Sequence, residues 1–154
     1  MNCVARLEGR KNRSAYFYIL PPLVGLAALT FYPVIFGFFI VLAATLNFGF
    51  VYGEIGDPQH HQLWEFFAAF VVNLVATVLK FGDRTQVGAI HLATSLVAVL
   101  QLAAAALVWT FAGPSDAGLS VAAVSSIVSL SAGALLANIV SVVILIVETT
   151  MQRR

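Results

Sequence analysis

Four long apolar runs dominate this sequence and constrain its fold more than any other feature. They cover residues 34–52, 63–79, 87–112 and 119–147. A helix needs roughly 20 residues to cross a hydrocarbon core of about 30 Å, and each run approaches or exceeds that length. With 60% hydrophobic and 10% charged residues, the composition excludes an ordinary soluble domain. We therefore predict an all-α, polytopic membrane protein with four transmembrane helices in an antiparallel bundle.

The distribution of positive charge predicts the orientation of these spans. All eight Lys and Arg residues precede the first run, follow the second run or end the chain. The connections after the first and third runs contain neither residue type. Because Lys and Arg are enriched in cytoplasmic segments, we expect both termini to be cytoplasmic.

The apolar stretch before the first run is difficult to classify, because it is nearly as hydrophobic as a span. A fifth crossing would place basic residues on both sides of the membrane. We predict instead an interfacial segment that is broken at Pro21, Pro22 and Pro33, where amide donors are missing. A cleaved signal peptide is the competing interpretation. The expected organisation is a basic, interfacial segment (1–33), a transmembrane domain (34–147) and a short basic tail (148–154).

The second run ends in a short turn that we expect to face the cytoplasm. At its start, the stem of Lys80 can follow the helix while its ammonium group reaches the lipid headgroups. No charged residue then occupies the middle of a span, which argues against a charge-coupled pump. The turn is a candidate contact for a cytoplasmic partner and comprises Lys80, Phe81, Gly82, Asp83 and Arg84.

Uncharged polar residues recur inside the predicted spans. The candidate intramembrane polar residues are Asn47, Asn73, His91, Thr94, Gln101 and Asn138. His91, Thr94, Ala98 and Gln101 share one face of the third helix, because they follow the i, i+3, i+7, i+10 spacing. Hydrogen bonds between helices, worth about 0.6 kcal/mol each in membranes, explain such residues. A polar path lined by water is the alternative.

The fourth run carries small residues at every fourth position, which we call the small-residue ridge. Small side chains let another helix approach closely, and close packing drives helix association in lipid. The approaching helix belongs either to the same bundle or to another subunit. The ridge comprises Ser125, Ser129, Gly133, Ala137 and Ser141.

The first loop contains the nearest approach to a metal motif. It holds Glu54, Asp57, His60 and His61, with Glu65 close behind, but this spacing matches no zinc site. We expect a solvated loop, no metal and no cofactor. The spans contain no paired carboxylates and no nucleophile beside a base, so we expect no enzyme. With a net charge of +1, we also expect no nucleic-acid partner.

Several short stretches resemble a family of small bacterial inner-membrane proteins known only as a domain of unknown function. They are 36–39 (FGFF), 46–50 (LNFGF), 76–86 (ATVLKFGDRTQ), 92–97 (LATSLV) and, less closely, 134–143 (ALLANIVSVV). The resemblance omits the apolar leader. It implies four spans and a bacterial inner membrane, and it brings no established reaction.

Two functional classes follow from these features. The first is an accessory or scaffold subunit of a membrane complex, such as one with a cation channel or transporter, which associates through the small-residue ridge. The second is a homo-oligomeric channel or transporter with an uncharged polar path through the bundle. The expected partners are the lipid bilayer and either further copies of the chain or another membrane protein.

Overall fold

The described residues form four α-helices joined by short connections. In the computed structural model these are α1 (Cys3–Val51), α2 (Leu63–Lys80), α3 (Gln86–Ala112) and α4 (Val121–Met151). The structure describes residues 3–54, 60–82, 84–112 and 119–151, with side chains from residue 16 onward except 28–30. All four helices are long and apolar enough to cross a membrane. The prediction of an all-α, polytopic membrane protein is confirmed.

Helix α1 differs from the sequence prediction, because it continues through Pro21, Pro22 and Pro33. Each proline removes an amide donor and costs roughly 3 kcal/mol in a helix surrounded by water. In apolar surroundings a break would expose several unpaired backbone groups, each costing several kcal/mol, so the helix is retained. The apolar part of α1, Tyr16–Val51, has 36 residues, more than one crossing requires.

The chain divides into two units, Met1–Ile35 and Phe36–Arg154. In the first unit, the described side chains at 16–27 and 31–35 are all exposed. The second unit contains the end of α1 and all of α2, α3 and α4. All side-chain contacts described below lie within the second unit.

The second unit is an antiparallel bundle with two distinct ends. Phe36, the first residue of this unit, contacts Lys80, and Phe50, near the end of α1, contacts Trp109. We call the end with the α2–α3 turn the turn end, and the opposite end the loop end. Within this unit, the end of α1 and the three other helices therefore run from one end to the other.

Compared with a soluble protein, the bundle buries more polar side chains and exposes more large apolar ones. Its buried positions include small residues such as Ala98 and polar residues such as Asn73, whereas large apolar side chains such as Leu100 and Leu136 are exposed. Water would not support this arrangement, but lipid does, because a lipid tail is as apolar as leucine. The surface thus supports the assignment of the helices as spans.

Hydroxyl side chains fix where two of the helices begin. Thr85 Oγ1 accepts the Gly88 amide at 2.9 Å, and Ser120 Oγ accepts the Ala123 amide at 3.2 Å. Each bond satisfies an amide in the first turn that has no partner within its helix. The caps start α3 and α4 close to their predicted positions.

Candidate functional site

Lys80, the last residue of α2, points into the bundle rather than toward the membrane surface. Its residue is 2% exposed, and Nζ donates to the His91 carbonyl at 3.0 Å, to Ser95 Oγ and to Ser141 Oγ at 3.3 Å. The expectation that its ammonium reaches the headgroups is wrong. Three acceptors on α3 and α4 match the three N–H donors of the ammonium, which offsets part of its desolvation.

The hydrogen bonds around Lys80 form a directed network across three helices. Lysine donates only, so Ser141 Oγ accepts from it. Thr94 Oγ1 lies 2.9 Å from the His91 carbonyl, which can only accept, so the threonine hydroxyl donates there. Ser141 Oγ lies 2.6 Å from Thr94 Oγ1 and consequently donates to it. The hydroxyl protons of Thr94 and Ser141 then each have one assigned acceptor.

Aromatic and ionisable side chains surround the network. The Phe36 ring centroid lies 5.3 Å from Lys80 Nζ, a distance at which the face of an aromatic ring attracts a cation. The same phenyl ring meets the His91 imidazole edge-on at 5.5 Å. On the far side of the imidazole, Nε2 lies 3.7 Å from Glu148 Oε2. We call Phe36, Lys80, His91, Ser141 and Glu148, together with Ser95 and Thr94, the lysine cluster.

The remaining predicted intramembrane polar residues are all buried or partly buried, but they differ in bonding. Asn73 Nδ2 donates to the Ala69 carbonyl of its own helix at 2.7 Å. Asn47 Nδ2 and Oδ1, Gln101 Oε1 and Asn138 Nδ2 are buried and have no hydrogen-bond partner in the part of the chain that the structure describes. Interhelical hydrogen bonding thus accounts for Thr94 but not for these three residues.

Sequence reasoning missed Ser131, which belongs to the same group. This serine is 0% exposed, and its Oγ has no partner among the described residues. Ser131, Asn138 and Ser141 lie on one buried face of α4 together with Ala134. The i, i+3, i+7, i+10 spacing that identified the polar face of α3 also describes this set. We call it the polar stripe of α4.

The small-residue ridge passes from the exterior of the bundle to its interior. Ser125 and Ser129 are exposed, Gly133 is half-buried, and Ala137 and Ser141 are buried. A four-residue step advances about 40° beyond a full helical turn, so a ridge with that period cannot remain on one face. At Gly133 the Gln101 amide of α3 occupies the space where a β-carbon would lie, with Oε1 2.5 Å from that position.

In the structure, Lys80 differs from the other described residues of the predicted turn. Phe81, Gly82 and Arg84 are exposed, and Asp83 lies outside the described residues. The Phe81 amide donates to the Val78 carbonyl at 3.2 Å, which closes the last turn of α2. The turn therefore offers an exposed aromatic ring and an exposed guanidinium group, while Lys80 belongs to the bundle interior.

The loop end is packed with aromatic side chains. Phe50 is 1% exposed and contacts Phe66 and Trp109, with ring centroids 5.3 and 6.5 Å away. The His61 ring lies 5.4 Å from Phe50. A cavity of about 50 Å³ adjoins them. These contacts close the interior at this end with apolar groups.

His61 of the first loop bonds the backbone through both ring nitrogens. His61 Nδ1 and Nε2 lie 2.6 Å from the Phe50 carbonyl and 3.1 Å from the Glu54 carbonyl, so neither nitrogen is open to a metal ion. Within the described ranges no group of three or more His, Cys, Asp or Glu residues could hold one. Asp57, part of the predicted loop, lies outside those ranges.

A comparison with protein-family models identifies the chain. Residues 60–149 match the model described as "Family of unknown function (DUF6394)". The match spans more than half of the chain and includes Lys80, the polar stripe and Glu148, whereas Asn47 and Phe36 precede it. No curated protein and no solved structure matches the chain. The chain therefore belongs to this family of unknown function.

Proposed function

We propose that this protein is a channel or transporter for a small ion or polar solute, with its path through the bundle interior. The observation that supports the proposal is the set of buried polar atoms without a partner in the described residues, on Asn47, Gln101, Ser131 and Asn138. Each such group costs about 1–3 kcal/mol when no hydrogen bond replaces water. A resident water or a passing solute would supply the missing bonds.

The positions of these atoms along the bundle fit a path. Relative to Ser141, which bonds Lys80 near the turn end, Asn138 lies about 4.5 Å and Ser131 about 15 Å toward the loop end. On α3, Gln101 lies about 15 Å beyond His91, and on α1, Asn47 lies about 16 Å beyond Phe36. The unpartnered groups thus occupy roughly half of a hydrocarbon core of about 30 Å.

We place the protein in a bacterial inner membrane with both termini cytoplasmic, following the distribution of Lys and Arg. In this orientation the lysine cluster forms the cytoplasmic end of the path. The aromatic cluster at Phe50 and Trp109 forms the opposite end, where a solute would need those rings to move. The proposal therefore includes a constriction at the loop end.

Reconstituted vesicles provide the test. Vesicles containing the protein alone should pass small ions or solutes that empty vesicles retain. Asn138→Leu should lower the flux about tenfold, the effect of losing one bond worth about 1.4 kcal/mol. It should not lower stability, because Asn138 Nδ2 has no described partner to lose.

Ser129→Leu is the matched control, because it introduces the same side chain on the exposed face of α4. It should leave the flux unchanged. The proposal is wrong if vesicles with correctly inserted wild-type protein are no more permeable than empty vesicles.

A second candidate is the accessory or scaffold subunit. It is favoured by the exposure of Ser125 and Ser129 and by Gly49 on α1, where a β-carbon would meet nothing within 4 Å. Such surfaces would let a helix of a second copy or of another membrane protein approach closely. Bulky replacements such as Ser129→Phe should then reduce the oligomeric mass or the retention of a copurified subunit.

A further inference from the structure

The charge of Lys80 is not balanced by a carboxylate among the described residues. Its acceptors are a carbonyl and two hydroxyl groups, all neutral. The carboxylate at this end belongs to Glu148, whose Oε2 lies 3.7 Å from His91 Nε2. Buried charges in proteins are normally paired, so a neutral coordination shell leaves a positive potential inside the bundle.

Glu148 lies closer to the turn end than Lys80 and is more exposed, so it cancels only part of this potential in the bundle interior. Ser141 marks the level of Lys80, and Glu148 follows seven residues later in α4, about 10 Å closer to the end of the helix. Its side chain is 26% exposed, whereas Lys80 is 2% exposed. Water at the end of the bundle therefore screens the carboxylate more than the ammonium.

The polar stripe places a donor without a described partner one helical turn from Ser141, an acceptor of Lys80. Asn138 Nδ2 is buried without a partner in the described chain, and it lies one helical turn from Ser141 on the same buried face. The three N–H groups of Lys80 already have acceptors, so Lys80 acts on an anion through its charge, whereas the Asn138 amide supplies a hydrogen-bond donor. Together they suit a small anion at the Lys80 end of the path.

We propose that the transported species is a small monovalent anion, such as chloride or nitrate, that binds first between Lys80 and Asn138. This inference rests on the proposed transport function and specifies its substrate class. One buried ammonium balances one negative charge, which disfavours divalent anions. Even at a separation of about 10 Å, with an effective dielectric constant of about 20, the charge of Lys80 taken alone favours a monovalent anion over a cation by more than about a hundredfold.

The test is a reversal-potential measurement on vesicles containing the whole protein, under a gradient of potassium chloride. We expect chloride to exceed potassium in permeability at least tenfold. Lys80→Met should remove this preference, and Lys80→Arg should retain it because the charge remains. Arg84→Gln is the control, since Arg84 is a nearby exposed cation, and it should have no effect.

Chloride binding gives a second measurement that does not depend on flux. Replacing gluconate by chloride should raise the thermal midpoint of wild-type protein in detergent, and Asn138→Leu should remove that shift. This comparison remains available if Lys80→Met fails to fold.

Three results would overturn the inference in different ways. Potassium-selective flux would refute the anion but leave the proposed function intact. Chloride-selective flux that is unchanged in folded Lys80→Met would refute the role of the lysine. Absence of all flux would refute the transport function and this inference with it.

Discussion

Ser141→Ala tests whether the hydrogen-bond network at Lys80 stabilises the bundle. Ser141 Oγ accepts from Lys80 Nζ at 3.3 Å and donates to Thr94 Oγ1 at 2.6 Å. Alanine removes both interactions while preserving the helix. Ser129→Ala is the matched control, because the sequence pattern places both serines on the same ridge but the structure exposes Ser129.

The expected difference follows from the geometry of the two bonds. A hydrogen bond between membrane helices contributes about 0.6 kcal/mol on average and up to about 1.7. The bond to Thr94 is short enough to count fully, whereas the bond to Lys80 is long, although its donor is charged. We expect Ser141→Ala to destabilise the protein by about 1–2 kcal/mol. Ser129→Ala should change stability by less than about 0.5 kcal/mol.

The assay is equilibrium unfolding in mixed micelles with increasing SDS, followed by helical circular dichroism. Both substitutions change helix propensity equally, so their difference isolates the contacts. Thr94→Val in a double-mutant cycle with Ser141→Ala should give a coupling of about 0.6 kcal/mol or more. Equal unfolding midpoints for the two alanine variants, or a coupling near zero, would refute the assigned network.

Two further predictions concern packing. Gly49→Ala should stabilise α1 by up to about 1 kcal/mol. Gly133→Ala should stabilise the protein less than this or destabilise it, because the Gln101 amide must leave its position at a cost of about 0.5–1.5 kcal/mol. In a Gln101→Ala background the two alanine substitutions should have equal effects on the thermal midpoint, and a persistent difference would contradict this explanation. Phe50→Ala should destabilise the protein by about 2–4 kcal/mol through lost packing. Phe48 is an exposed neighbour, so Phe48→Ala should cost less than about 1 kcal/mol in the same SDS titration. Equal losses would show that the aromatic cluster contributes little to stability.

The helices could be predicted from the sequence because lipid imposes both their length and their internal hydrogen bonding. Helix α2 begins at Leu63, where the second apolar run was predicted to start, and α3 ends at Ala112, where the third was predicted to end. The prediction failed in α1, where the cost of proline in water was applied to an apolar segment. A rule for proline in membranes, where neighbouring groups and local adjustments compensate the missing donor, would have extended the helix.

The polar interior was only partly predictable. The spacing of polar residues and their position along a helix follow from the sequence of that helix, whereas their burial depends on the neighbouring helices. The spacing that identifies the polar face of α3 also groups Ser131 with Asn138 and Ser141, whereas the four-residue ridge contains only Ser141 of these three.

The direction of the Lys80 side chain could not be predicted from the sequence. A lysine at the end of a span can reach the headgroups or turn inward, and its own sequence context is the same for both outcomes. The choice depends on acceptors that lie 11, 15 and 61 residues away in sequence. Because these acceptors outweigh hydration only when three helices bring them to one point, the inward lysine is a property of the assembled bundle. Removing either hydroxyl acceptor, Ser95 or Ser141, should therefore shift Lys80 toward the surface, and with it the positive potential on which the proposed anion selectivity depends.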